Sequence, residues 1–297
     1  MPELLFSIVI PTYNRASTLG DTLRSLQGQT YPHFEVLVVD DGSTDASAQV
    51  VAPFLTDARF RYLPKQNEER AIARNWGIAQ AKGRFITFLD SDDGYYPRCL
   101  QEAVNFLQQR PKAVFFHLGY EIKDTAGRLL YRSLHKGEQL NEQLLSGNFL
   151  SCIGVFCRRE ILEQDRFNES PALIGSEDYE LWLRLAAKYP LYYHPAIGAY
   201  MLQHAQRSVL RIDKSRFGAR MEALLELVST EPAIQQAFQQ KGVQRFRLHT
   251  YLYWSLHLAM GGYKREALRK LIWALKKEPG LVASRKFLGI AKTLIRS

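Results

Sequence analysis

Apolar and polar positions alternate between two periods over the first ninety residues. The run Phe6-Ser-Ile-Val-Ile10 is β-branched and stops at Pro11, which reads as a buried strand. Leu19, Leu23 and Leu26 then recur at the spacing of one helical face. A second apolar run covers residues 34–39 and is followed by helical composition up to about Phe54. Residues 59–63 form a weaker third strand. Residues 71–81 read as a helix, with Gly83 as its stop signal. Residues 84–89 are a fourth strand. Strand and helix in alternation predict an α/β fold with a parallel sheet covered by helices.

The pattern is less regular beyond this point. A helix is expected over 100–109, closed by Pro111, and a strand over 112–118. Residues 121–148 carry no clear period. Residues 177–188 are strongly helical, with Leu181, Trp182, Leu185 and Ala186 on an apolar side. After about Arg211 the chain turns helical and basic. We therefore divide it into an α/β region, 1–210, and a basic α-helical C-terminal region, 211–297.

Charge sharpens that division. Residues 211–297 hold 17 Lys and Arg against 6 Asp and Glu, a net +11, so residues 1–210 carry −2 of the chain's +9. Lys264 to Lys277 and Lys286 to Arg296 read as amphipathic basic helices, with Leu268, Leu271, Ile272 and Leu275 lining the first and Phe287, Ile290, Ala291 and Leu294 the second. Two uses stay open for that face: peripheral contact with an anionic membrane, or a solvated surface. Residues 262–279 resemble half of a tetratricopeptide-type hairpin, but one copy does not make a repeat fold. The three cysteines, Cys99, Cys152 and Cys157, show no metal spacing and are odd in number, which points to a reducing compartment. The N-terminus lacks the basic segment of a signal peptide, and no uncharged apolar stretch reaches the ~20 residues of a membrane span. A cytoplasmic protein, peripheral at most on the inner face of the membrane, is the expectation.

Ligands of open α/β sheets bind outside the carboxyl ends of the strands. Both acidic clusters, Asp40-Asp41 and Asp90-Ser91-Asp92-Asp93, fall there. Asp90 and Asp92 lie two apart and can share a hard cation such as Mg²⁺ or Mn²⁺. A diphosphate leaving group needs that neutralisation. Taken alone, the same triplet suits a loop that caps the next helix. Pro11-Thr12-Tyr13-Asn14-Arg15 follows the first strand. It adds an aromatic ring able to stack on a base, and Asp41 can accept from an imide N–H.

Five segments, in order, carry a resemblance: Pro-Thr-Tyr-Asn-Arg, Val-Val-Asp-Asp-Gly-Ser-Thr-Asp, Ala-Arg-Asn-x-Gly-Ile, Phe-Leu-Asp-Ser-Asp-Asp and Glu-Asp-Tyr-Glu-Leu-Trp-Leu-Arg-Leu. Together they resemble the family 2 inverting glycosyltransferases, over residues 5 to about 210. The resemblance implies a Rossmann-like GT-A fold with a mostly parallel central sheet, plus the C-terminal helical appendage. It implies a nucleotide-sugar donor, UDP by default, and an acceptor that is a sugar or is lipid-linked, in polysaccharide or glycoconjugate synthesis. Residue by residue, it places Pro11, Thr12, Tyr13, Arg15, Asp41, Arg74, Asp90 and Ser91 around the donor nucleotide, and Asp92 and His204 on Mn²⁺ or Mg²⁺. Asp178 would be the general base, opening a helix whose dipole favours its charged form. Arg207 is an alternative phosphate contact.

The chain also departs from the family pattern. Asn67-Glu68-Glu69-Arg70 stands where small, Gly-containing residues are usual, and Asp165-Arg166-Phe167 stands where Gly-Gly-Phe is frequent. Other readings are a nucleotidyltransferase, which would want a Gly-rich loop at the first strand, and an inactive transferase-like scaffold. Nucleic acid is not an expected partner, because the aromatics of the basic region sit in apolar helical faces.

Overall fold

The computed structural model describes residues 6–203 and 214–296. His204 and Arg207 lie outside the described residues. The first half alternates as the sequence pattern requires: β1 (Phe6–Thr12), α1 (Ala16–Gln27), β2 (Phe34–Asp40), α2 (Ser47–Val51), β3 (Phe60–Pro64), α3 (Arg70–Gln80) and β4 (Phe85–Phe88). There follow β5 (Asp93–Tyr95), α4 (Cys99–Gln109), β6 (Phe115–Asp124), β7 (Leu129–Arg132), α5 (Asn141–Leu144), β8 (Val155–Arg158), α6 (Arg159–Gln164), α7 (Glu177–Lys188) and β9 (Leu191–Gln203). Four helices close the chain: α8 (Lys214–Thr230), α9 (Pro232–Met260), α10 (Lys264–Lys277) and α11 (Arg285–Arg296).

Among the described residues the nine strands join one sheet in the order β3-β2-β1-β4-β8-β6-β9-β5, with β7 paired to β6. β1 runs parallel to β2 and β4, and β2 parallel to β3. β8 is antiparallel to both its neighbours, while β6 and β9 are again parallel. Side chains alternate across the sheet with the period of two that strands impose. Phe6, Ile8 and Ile10 of β1 pack with α1 and α4, whereas Val9 faces α3. Burial on both faces is why these strands read as unbroken apolar runs.

The C-terminal helices share the core on the α3 and α7 side. Phe217, Met221, Val243, Phe246 and Trp254 belong to the same cluster as Trp182 and Leu185. A smaller core ties α9 to α10 and α11 through Leu252, Leu271 and Ile290. One expected face is shifted. α10 buries Ala267, Leu271 and Ala274, while Leu268 and Ile272 remain 48% and 42% exposed. The small alanines let the backbone of α10 approach α9, which turns the bulkier leucine edge outward. Among the described residues no helix is long and apolar enough to cross a membrane.

Candidate active site

The parallel strands bring three loops to one edge. After β1, Thr12 is buried and Tyr13 is 49% exposed. Asn14 adopts a positive φ of 51°, a conformation asparagine tolerates better than most residues. Its side chain stitches the loop to the next one: Asn14 Oδ1 accepts from Thr44 N at 2.8 Å, and Asn14 N donates to Ser43 Oγ at 2.9 Å. Asp45 Oδ2 accepts from Ala16 N at 3.0 Å, and Ser47 Oγ from Arg15 N at 3.1 Å. The loop after β1 and the Asp-Asp-Gly-Ser-Thr-Asp segment thus form one unit. Neither Asn14 nor Asp45 stood out as a site residue in the sequence.

After β2 the two neighbouring aspartates divide their work. Asp40 accepts from Ser43 N at 2.8 Å and from the Tyr62 hydroxyl. Asp41 is buried and accepts from Lys65 Nζ at 2.7 Å and from the backbone N–H of Glu68 and Glu69 at 3.0 Å each. Asp41 therefore pins residues 65–69 over this edge. Gly42 between the motifs has φ +78°, and a Cβ there would sit 2.9 Å from Asn67 N. Only glycine fits both the conformation and the space.

After β4, Asp92 is buried and its Oδ2 lies 3.8 Å from Arg15 Nη2. The Ser91 carbonyl accepts from Thr18 Oγ1 at 2.9 Å and the Asp93 carbonyl from Thr22 Oγ1 at 2.7 Å, so α1 fixes the acidic loop. Asp90 is more open, its side chain 31% exposed, and meets Arg74 Nη2 at 2.9 Å. Arg74 itself is 2% exposed. Its other terminal nitrogen, Nη1, donates to Glu177 Oε1 at 2.9 Å. Glu177 also accepts from Gly175 N at 2.7 Å.

That chain of contacts leads to the first turn of α7 and to Asp178. Asp178 Oδ1 accepts from Tyr179 N at 2.6 Å, and its Oδ2 faces Asn148 Nδ2 at 3.4 Å and Cys152 Sγ at 4.0 Å. The helix start was expected to favour the charged form of Asp178. The opposite holds: burial first, and then the adjacent Glu177 carboxylate, raise its pKa to about 6. Burial also opposes ionisation of Glu177, but the guanidiniums of Arg74 and Arg70 outweigh it and hold that carboxyl below its ordinary range. Two consecutive carboxylates are thus pushed apart in pKa, a pattern typical of acid–base sites.

The donor set can be tested against a metal. Among the described residues no three His, Cys, Asp or Glu gather closely enough to hold an ion unaided. Asp90 and Asp92 offer two carboxylates at one loop, and Mg²⁺ or Mn²⁺ commonly takes one or two protein carboxylates with phosphate oxygens of the substrate. Asp90 is paired with Arg74 at 2.9 Å and Asp92 faces Arg15 at 3.8 Å, so a metal at this loop would need phosphate oxygens of a bound diphosphate to complete its shell. Glu177, Asn148, Asn14, Asp45 and Lys65 are candidate site residues that sequence reasoning did not single out. Glu177, Asn14 and Asp45 had a visible signal, since each lies within one of the five segments, whereas Asn148 and Lys65 had none.

Comparison with known proteins agrees with this geometry. A family model described as glycosyl transferase family 2 matches residues 7–165. An uncharacterized glycosyltransferase of Rickettsia conorii is 32% identical over 191 residues, 61% of this chain. The chain spans 30% of the length of that relative. The Campylobacter jejuni enzyme named GalNAc(5)-diNAcBac-PP-undecaprenol beta-1,3-glucosyltransferase is 30% identical over 227 residues, 73% of this chain and 70% of its own. Among solved structures, Staphylococcus aureus TarS 1-349 with UDP-GlcNAc superposes with a TM-score of 0.71 at 22% identity, over 96% of this chain and 84% of its own. The mannosyltransferase PcManGT of Pyrobaculum calidifontis, in complex with GDP-Man and Mn²⁺, gives a TM-score of 0.60 at 18% identity, over 98% and 84% of the two chains. The shared fold is GT-A.

Proposed function

The chain belongs to glycosyl transferase family 2, and from that membership we propose that it moves a sugar from a nucleoside-diphosphate donor, UDP by default, to an acceptor hydroxyl with inversion. The observation that carries this reading is the Asp90–Arg74–Glu177 chain, both contacts at 2.9 Å, which ties the acidic loop after β4 to the helix that presents Asp178. The donor edge and the candidate base are thereby held by one buried guanidinium.

Each residue has a definite task in this reading. Tyr13 stacks on the base at the open end of the β1 loop, and Asp41 accepts from the base edge. Asp92, with Asp90 two residues before it, would hold a divalent cation, which would supply neutralisation of the diphosphate when bound. Asp178 takes the proton from the acceptor hydroxyl as its oxygen attacks the anomeric carbon. The bond from that carbon to the diphosphate oxygen breaks on the opposite face, so configuration inverts. A pKa near 6 suits the task, since the group is ionised at neutral pH yet more basic than an ordinary aspartate. No protein nucleophile is required. The acceptor is a sugar or a lipid-linked glycan of polysaccharide or glycoconjugate synthesis.

Calorimetric titration with UDP, with and without Mn²⁺, on wild type and Asp92→Ala tests the donor half. Metal-dependent binding that disappears in the variant is the expected result. Equal affinity with and without metal, in both proteins, would overturn the metal assignment. Failure of both UDP and GDP to bind folded wild type would overturn the transferase reading.

A further inference from the structure

Two cavities are lined by residues of α9 and the segments packed beside it. The smaller, about 380 Å³, is lined by His135, Gln143, Ser146, Asn148 and Arg245 among others. The larger, about 780 Å³, runs along α9 and α10 and is lined by Lys241, Arg245, His249, Trp273, Lys277 and Glu278 among others. Arg245 lines both, so they meet at its side chain. Asn148, in the wall of the smaller one, reaches Asp178 at 3.4 Å. A groove thus leads from the candidate base to the C-terminal helices.

Its charge is one-sided. Lys241, Arg245 and His249 follow one another at every fourth residue and share a face of α9. Lys286, in the first turn of α11, joins them from the neighbouring helix: its Nζ lies 3.0 Å from the Ser146 carbonyl and 3.1 Å from His249 Nδ1. Arg245 Nε donates to Ser146 Oγ at 2.8 Å. Among the described residues none of Lys241, Arg245, Lys277 or Lys286 pairs with a carboxylate, and Glu278 is the one acidic side chain in the lining. Burial, then Lys286 and Arg245, lower His249 to about 4, while burial and Arg245 lower the Lys286 ammonium. Positive charge is crowded here, and in the lining Glu278 alone opposes it.

We infer that this groove is the acceptor channel and that Arg245 and Lys286 bind a phosphate or diphosphate group of the acceptor. The inference rests on the transferase reading and extends it to the class of acceptor. A guanidinium fork beside an ammonium matches phosphate oxygens, and such charge-assisted bonds are the strong ones. A phosphate bridging Arg245 and Lys286 would also relieve their mutual repulsion. The position suits an acceptor, because the base must face the attacking hydroxyl, Asn148 in the wall of the smaller cavity contacts that base, and neither cavity is lined by Asp41, Asp90 or Asp92. Two sources share this chemistry: the diphosphate of a prenyl carrier and the phosphodiester of a polymer.

The test uses the full chain saturated with UDP and Mn²⁺, so that the donor diphosphate site is filled. Geranyl diphosphate and a glycerol phosphate trimer are titrated separately into wild type and into the double variant Arg245→Gln, Lys286→Gln. Saturable binding of one probe, weakened about tenfold or more in the double variant at unchanged UDP affinity and melting temperature, is the expected result. The probe that binds identifies the source. Binding of neither probe by wild type, or equal binding by both proteins, would overturn the channel. So would affinity only for phosphatidylglycerol vesicles, which would assign the stripe to a membrane surface. If the preliminary titration shows no nucleotide binding, the transferase reading fails first and this inference with it.

Discussion

Arg74 Nη1 donates to Glu177 Oε1 at 2.9 Å across 103 residues of chain, with both side chains almost fully enclosed. A buried carboxylate deprived of its nearest cation is costly, with only Arg70 left 3.8 Å away, whereas a buried pair replaced by apolar groups costs far less. Arg74→Met alone should lower unfolding free energy by about 3–5 kcal/mol, and Arg74→Met with Glu177→Met should recover a large part of that loss. Urea denaturation of the two variants measures both. A single variant as stable as wild type would show that Arg74 is held for ligand contact alone.

Asp178 makes opposite predictions for stability and for rate. Its folded pKa, about 6, lies above the ordinary aspartate value, so the folded state favours the protonated form. That contribution to stability is complete below about pH 4 and is lost as pH rises through 6. Asp178→Asn removes the loss, and its melting temperature at pH 7.5 should equal or exceed that of wild type. Its kcat should fall by about 10²- to 10⁴-fold, the usual loss for a general base. In wild type, kcat/KM should rise with pH through an apparent pKa near 6 and then level off. A pH-independent rate, or an active Asn variant, would remove Asp178 from the base position.

The parallel half of the sheet was legible because burial on both faces turns β1, β2 and β4 into plain apolar runs, and each acidic cluster follows such a run. The second half was not. β7 is exposed at all four positions, and β8 is only four residues long. β9 contains Pro195 and pairs with β6 through register shifts around Gly119. Short, edge or bulged strands carry no apolar period, so residues 121–148 read as irregular although the end of β6 and all of β7 lie within that stretch, while the start of β6 was expected as the strand over 112–118. At the site, the residue types and their order pointed to the donor loops. The contacts that join them, such as Asn14 with Thr44 or Arg74 with Glu177, depend on tertiary approach that spacing does not encode.

Gly77 shows a physical reason behind one motif position. Its ideal Cβ would lie 2.3 Å from Val9 Cγ1, so α3 packs onto β1 at a distance no side chain permits. Gly77→Ala should destabilise the fold by about 1–3 kcal/mol through overpacking. Combining it with Val9→Ala should restore part of the loss, as read by thermal melts. A stabilising Gly77→Ala would mean that the helix shifts freely, contrary to this packing.

Glu69 tests the segment where small residues were expected. It sits at φ 85° and ψ 157°, a region of backbone space that is essentially glycine's alone. Such a conformation costs roughly 1–3 kcal/mol for a residue with a Cβ, and glycine's greater freedom in the unfolded chain returns about 0.5–1 kcal/mol of that. The strain persists because the Glu69 N–H is held by Asp41 Oδ2 at 3.0 Å, a bond that any residue at position 69 keeps. Glu69→Gly should therefore leave the Asp41 contacts intact and stabilise the protein by about 1 kcal/mol. The urea midpoint should rise and nucleotide affinity should hold or improve, since residues 65–69 cover the donor edge. A lowered midpoint would show that the Glu69 side chain makes a contribution larger than its backbone strain.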